Sequence, residues 1–207
     1  MEFDHQQLYY RVIGPVTGDG TGYAYREGEA EIMLSGEGLQ VADYPKFEFD
    51  DIAHVGKWLQ LGSRVRVLRV PASAEVVANR PMSQGGCMTY SADRIELLEV
   101  IGFDELLARL TASGRTDAFI DLEQHRFGTS ARLPAQCRRL SLYACSAESP
   151  LALPRKVEHL FMAECELSLA GIPEDVAELH VRDCILFGID ALPQGTRSHQ
   201  VRDNLLG

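Results

Sequence analysis

Five positions capable of chemistry recur at a near-constant interval: His125, Cys145, Cys165, Cys184 and Asn204, spaced by 20, 20, 19 and 20 residues. Three thiols and an imidazole are zinc-type ligands, and zinc asks for a tetrahedron. One residue per repeat gives a row instead, so the column does not read as a metal site, and no metal and no cofactor are expected. Cys137 stands where the next units carry Val157 and Val176, and reads as core. Cys87, after Gly85-Gly86, is the one thiol without a structural explanation, yet no histidine or helix start is tied to it as a nucleophile's base or dipole.

Two further features invite chemistry. Gly14 to Gly22, GPVTGDGTG, has a phosphate loop's composition but neither GxGxxG nor a GK[ST] ending, so it reads as a turn between strands. Glu37, Asp43, Tyr44, His54 and Arg64, with the loop around Cys87, could line a cleft near residues 36 to 44 of a transferase or hydrolase. Their spacing compels no reaction class, and no catalytic residue is assigned.

The elements that position the cysteine column come from a repeat. LPAQCRRLSLYAC, LPRKVEHLFMAEC, IPEDVAELHVRDC and LPQGTRSHQVRDN open at Leu133-Pro134, Leu153-Pro154, Ile172-Pro173 and Leu192-Pro193. A period this short and regular predicts a solenoid. Ile120, Leu122, His125 and Phe127 recover a degenerate earlier unit, giving about five with the last truncated. In each L-x-L step two apolar side chains share a side, so Leu140/Leu142, Leu160/Met162 and Leu179/Val181 face a common core. Outward columns are then Arg139, His159, Glu178, Ser198; Ser141, Phe161, His180, Gln200; and Tyr143, Ala163, Arg182, Arg202. Aromatics and arginine on one face are the composition of a binding hot spot. Tyr143, His159, Phe161, His180, Arg182 and Arg202 are the expected protein-binding residues.

The pattern L-P-x-x-[VC]-x-x-L-x-[LVM]-x-x-[CN] resembles the short leucine-rich repeats of bacterial proteins, over about 95 residues, with His199 where a buried leucine is expected. That resemblance implies asparagine or cysteine in the last column for turn bonding. Upstream, GYAYREGE, SGEGLQVADYP, GSRVRVLRVPASAEVV and TYSADRIELLEVI together resemble an uncharacterised domain of phage and prophage proteins, across Gly22 to Leu110. This chain has Gly38-Leu39-Gln40 where that family carries histidine.

Local signals fill in the N-terminal part. Strands are expected at Gln7–Ile13, Glu31–Leu34 and Arg94–Ile101. Asp50-Asp51 reads as the acidic start of a helix toward Trp58 and Leu61, and Trp58 as an anchor. RVRVLRV should be a half-buried strand with Val65 and Val67 inward, Arg64 and Arg66 outward. Asp104-Glu105 opens a helix with Leu106, Leu107 and Leu110 inward and Gly114 as its stop. The expected fold is α+β: a small mixed domain over residues 1–112, then a leucine-rich-repeat-like solenoid with a parallel sheet over 113–207.

Bulk composition bounds the function. The 207 residues are 45% hydrophobic, enough for a buried core. No signal-peptide pattern or membrane-length apolar run is present, and five scattered cysteines suit reduced thiols, so a cytoplasmic location is expected. A formal charge of −10 disfavours direct nucleic-acid binding and suits docking on a basic surface, including one that normally holds nucleic acid. The open strand edge at Asn204-Leu205-Leu206-Gly207 predicts self-association through that end. These readings point to a non-enzymatic interaction protein, in one version a phage or prophage factor that docks on and inhibits a host nucleic-acid-binding defence complex of the CRISPR type.

Overall fold

A computed structural model describes residues 3–13, 37–42, 47–62, 64–79, 89–129, 131–173 and 175–189. The Gly14–Gly22 turn, the Glu31–Leu34 strand, Asp43, Tyr44, Cys87, Arg202, the last repeat unit and the chain end lie outside these residues. The chain divides into two compact units, Met1–Leu106 and Leu107–Gly207.

The first unit is built of antiparallel strands: β1 (Tyr9–Ile13), β2 (Gly38–Val41), β3 (Phe47–Phe49), β4 (Arg64–Arg69), β5 (Val76–Asn79), β6 (Thr89–Ala92) and β7 (Arg94–Gly102). They form a four-stranded sheet in the order β1-β4-β7-β2 and a three-stranded sheet β3-β6-β5. Tyr9, Phe47, Phe49, Leu68, Ile95 and Leu97 are buried in one cluster, with Phe3 stacked on Tyr9 at 4.8 Å between ring centroids. Alternation along β3 supplies Phe47 and Phe49 from one face of that strand.

One expectation for this unit is corrected and one is refined. Arg66 is not on a solvated face: it is 7% exposed, its guanidinium meets the Leu98 carbonyl at 3.5 Å, and burial lowers its pKa. Four consecutive residues of β4 are buried, so both of its faces are covered and simple alternation does not describe it. A helix does reach Trp58 and Leu61, but it is a 3-10 helix that begins at Val55, past the acidic pair. Asp51 closes a turn by accepting from the amides of Ala53 and His54, each at 3.0 Å, and a 3-10 helix follows over Val55–Leu61. Asp50 is 1% exposed and holds Lys57 Nζ at 2.8 Å and Trp58 Nε1 at 2.7 Å, while Lys57 also donates to Thr89 Oγ1 at 3.0 Å. Trp58 is thus anchored through its indole N–H.

Helix α1 (Phe103–Ser113) carries the chain into the second unit, with Leu106, Leu107 and Leu110 buried and Gly114 at φ 67°, a left-handed stop. Each repeat then contributes two strands instead of one. The first sheet is β8 (Phe119–Glu123), β10 (Gln136–Tyr143), β12 (Lys156–Ala163) and β14 (Asp175–Arg182). The second is β9 (Arg126–Phe127), β11 (Ser146–Leu151), β13 (Glu166–Leu169) and β15 (Ile185–Phe187). All their pairings are parallel, so this unit is a β-solenoid of about three turns.

Three local devices make the coil. Gln124, Ala144, Glu164 and Asp183 take positive φ of 50° to 56°, a left-handed corner between the two strands of every coil. The strain of a side chain there, about 1–2 kcal/mol, is offset because the corner amides of Gln124, Ala144 and Glu164 each donate to the next coil at 2.9 Å. A bulge then resets the alternation: Arg138 and Arg139 both donate to the Ala118 carbonyl, and the pairing skips Arg138 and Glu158. Cys137 and Leu140, three apart, can therefore both face inward. Finally, Pro134, Pro154 and Pro173 are buried at the return turn, where no ladder hydrogen bond is needed from their nitrogens. Gly188 serves a fourth need, because at φ 80° an added Cβ would run into the Leu169 carbonyl oxygen.

Candidate functional site

The outward face of the first sheet gathers five of the six residues picked from the sequence. Register aligns Arg139 with His159 and Glu178, Ser141 with Phe161 and His180, and Tyr143 with Ala163 and Arg182. Their inward neighbours Leu140, Leu142, Leu160, Met162, Leu179 and Val181 are buried, which fixes the direction of the others. Phe161 is half-buried because its neighbours cover it. The His180 ring stacks on it at 4.8 Å and 15°, the His159 ring lies at 6.4 Å and 20°, and the Arg139 guanidinium sits 5.6 Å from its centroid. On a half-exposed face such contacts are together worth about 1 kcal/mol, and they hold the rings in place before anything binds.

Glu178 ties the two histidines together, with Oε2 2.9 Å from His159 Nδ1 and Oε1 2.9 Å from His180 Nε2. Hydrogen bonding to His180 and then His159 holds the Glu178 carboxyl below its usual range. Tyr143, 38% exposed, donates to Glu164 Oε2 at 2.9 Å, which raises the phenol's pKa, and Arg182 reaches Glu164 Oε1 at 3.4 Å. The face is therefore a row of parallel rings bordered by carboxylates shared between paired side chains.

Sequence reading placed Arg139 and Glu178 in the outward columns without assigning them to binding, and passed over Asp121 and Glu164. Asp121 occupies the Ser141 column in β8, a position recoverable from the degenerate unit around Ile120 and Leu122. Its carboxylate lies 3.1 Å from Arg139 Nε, a charge contact without the alignment of a hydrogen bond. Burial pushes Asp121 up to about 6 from 3.8, against the opposing pull of Arg139. Its side chain is only 18% exposed, so the shift corresponds to roughly 3 kcal/mol. Between about pH 4 and pH 6 the unfolded chain gives up this proton while the folded chain keeps it, so stability falls as pH rises. Relative to wild type, Asp121→Asn should gain up to about 3 kcal/mol across that window. Paired urea titrations at several pH values check this; a difference that is flat or moves the other way contradicts it.

The cysteine column has a local explanation. Cys145 Sγ donates to the carbonyls of Tyr143 at 3.4 Å and Leu122 at 3.6 Å; Cys165 Sγ to those of Ala163 at 3.2 Å and Leu142 at 3.4 Å. Cys184 Sγ meets the Arg182 carbonyl at 3.2 Å. Each thiol thus bonds a carbonyl across its own corner. Cys137 is buried, and desolvation pushes its thiol up to about 12. Among the described residues no cluster of three histidine, cysteine or acidic groups converges as metal ligands.

Apart from the outward face, a concavity of about 460 Å³ lies on the solenoid before the bulge, lined in part by Cys137 and Val157. Its rim charges are paired, Arg138 with Glu158 at 3.1 Å, Lys156 with Asp175 at 3.8 Å and Arg115 with Asp117 at 2.7 Å. In the first unit, His54 is paired with Asp51 at 2.8 Å, and Glu37 and Arg64 are exposed. Glu37 acts electrostatically on Arg66.

No protein-family model, no curated protein and no solved structure matches this chain. Among the described residues no helix is long and apolar enough to cross a membrane.

Proposed function

We propose that this is a non-enzymatic docking protein whose solenoid presents the face around Phe161 to another protein. The observation that carries the reading is the pre-ordered stack of Arg139, His159, Phe161 and His180. Rigid aromatic and arginine groups on an outward sheet contribute binding energy at small entropic cost. Formal charge of −10 favours a partner with a basic surface, such as one that holds nucleic acid, with no direct contact to nucleic acid or membrane. In its most specific form the reading is a phage or prophage factor that blocks a host nucleic-acid-binding defence complex by steric and electrostatic occlusion, acting in the cytoplasm.

The joint substitution Phe161→Ala and Arg182→Ala tests it. Immobilised wild type should capture a protein from a bacterial lysate that the variant fails to retain, with circular dichroism unchanged between the two. Equal capture by both proteins would remove the face from the account.

A further inference from the structure

Asp121, Ser141, Phe161 and His180 form one outward column across the four strands of the first sheet. The serine is the small member of that column. It floors a notch with the Asp121 carboxylate as one wall and the Phe161 ring as the other, roughly 9.6 Å apart at two strand spacings. The chain's own Arg139 lies in this notch, with its guanidinium 5.6 Å from the Phe161 centroid and its Nε 3.1 Å from Asp121 Oδ1. A guanidinium therefore has the length to touch carboxylate and ring together.

Arg139 makes that bridge imperfectly. Asp121 Oδ1 and Arg139 Nε are both buried, and neither makes a hydrogen bond. Buried polar atoms ordinarily find partners, so two that face each other unbonded mark a place built for a better-aligned group. Arg139 reaches in from the neighbouring column, two residues along its own strand from Ser141, and that tether sets its angle of approach. A guanidinium arriving from outside the sheet is free to turn its planar fork to the carboxylate and make two parallel N–H···O bonds.

We propose that the notch over Ser141 seats an arginine side chain of the partner protein, and that Arg139 is a place-holder which swings out to solvent when the partner's guanidinium settles between Asp121 and Phe161. The inference rests on the docking reading of this face and names what the partner inserts there. Until the partner arrives, Arg139 keeps the Phe161 ring ordered and the Asp121 carboxylate paired, so the exchange leaves no buried charge alone at either end. The Arg139 side chain is already 35% exposed, against 18% for Asp121, so the arginine is the member of the pair that can leave. Charge favours the same ligand: Glu164 and Glu178 border the face with Asp121, and the whole chain carries −10. Lysine suits the notch less well, because a compact ammonium held at the carboxylate does not also lie against the ring.

The test titrates the isotopically labelled full chain with N-acetyl-arginine amide, N-acetyl-lysine amide and N-acetyl-citrulline amide, the last close to arginine in shape but uncharged. Backbone amide resonances of Asp121, Ser141 and Phe161 should shift saturably with the arginine probe, with about threefold or more weaker affinity for the lysine probe, and not with citrulline. Arg139→Ala should tighten arginine binding by about threefold or more, the reverse of losing a contact, because the competing occupant is gone. Asp121→Asn should abolish it. If Arg139→Ala does not fold, Arg139→Gln carries the same expectation, and the ranking of the probes on wild type decides in either case. No saturable shift at these residues, equal affinity for arginine and lysine, or an Arg139 variant that binds no tighter than wild type overturns the assignment. Capture from lysate reads the face independently, so a partner captured there without any arginine response removes the seat and leaves the docking reading standing.

Discussion

Leu160→Ala is expected to destabilise the solenoid by about 3–4 kcal/mol, the cost of truncating a fully buried leucine in a site that cannot collapse. Leu160 is 0% exposed and is flanked in register by Leu140 on one side and Leu179 on the other, both buried. A cavity there is walled by backbone held in two parallel ladders, so relaxation is small. In a stack where each coil contacts only its neighbours, a defect in an interior coil weakens two interfaces at once. Phe161, one residue along and larger, faces out. Its truncation forfeits stacking on two histidines and one arginine contact, about 1 kcal/mol. Urea unfolding of the two single variants compares them directly. Equal losses, or a larger loss from Phe161→Ala, would mean that the inward and outward sets are misassigned.

Lys57→Met is expected to cost the first unit about 3–5 kcal/mol, because it strands a buried carboxylate. Asp50 and Lys57 are each 1% exposed, and desolvation already raises the Asp50 pKa despite the attraction of Lys57 and the hydrogen bonds from Lys57 and Trp58. Without the ammonium, Asp50 keeps, among the described residues, the Trp58 indole as its side-chain partner, which favours taking up a proton on folding. The loss should grow as pH rises above the carboxyl's ordinary value, since the unfolded chain then releases a proton that the folded chain retains. The double variant Asp50→Asn, Lys57→Met should recover much of the stability, since a neutral amide can still accept from Trp58. Chemical denaturation of the four proteins of this cycle gives the coupling. Additive losses would mean that the pair is not acting as a unit.

The solenoid was legible in the sequence because its buried positions repeat: the L-P openings, the L-x-L pairs and the cysteine column all mark residues that face one core. The second sheet was not. Its strands are short, as in Arg126–Phe127 and Ile185–Phe187, and carry too few residues to show a period of two. The corners were hidden for a different reason. Left-handed residues usually announce themselves as glycine or asparagine, whereas here Gln124, Ala144 and Glu164 are held in that geometry by inter-coil hydrogen bonds. The outward columns could be read from register alone. The ion pairs that order them could not, because Glu164 and Asp121 enter the face from a corner and from a degenerate unit. In the first unit Asp50 and Lys57 look like ordinary surface charges. Only folding brings Thr89, 32 residues after Lys57, to complete their cluster.

The account turns on which face of the solenoid meets a partner, and a site-specific photocrosslink measures that directly. A photoreactive residue is placed at Ser141, between Asp121 and Phe161 on the first sheet, or at Glu166, exposed on the second. After irradiation in a bacterial lysate, the position-141 protein should yield a discrete adduct that excess wild type competes away and excess Phe161→Ala, Arg182→Ala does not. The same adduct from position 166, or equal competition by the variant, would contradict docking through the Phe161 face.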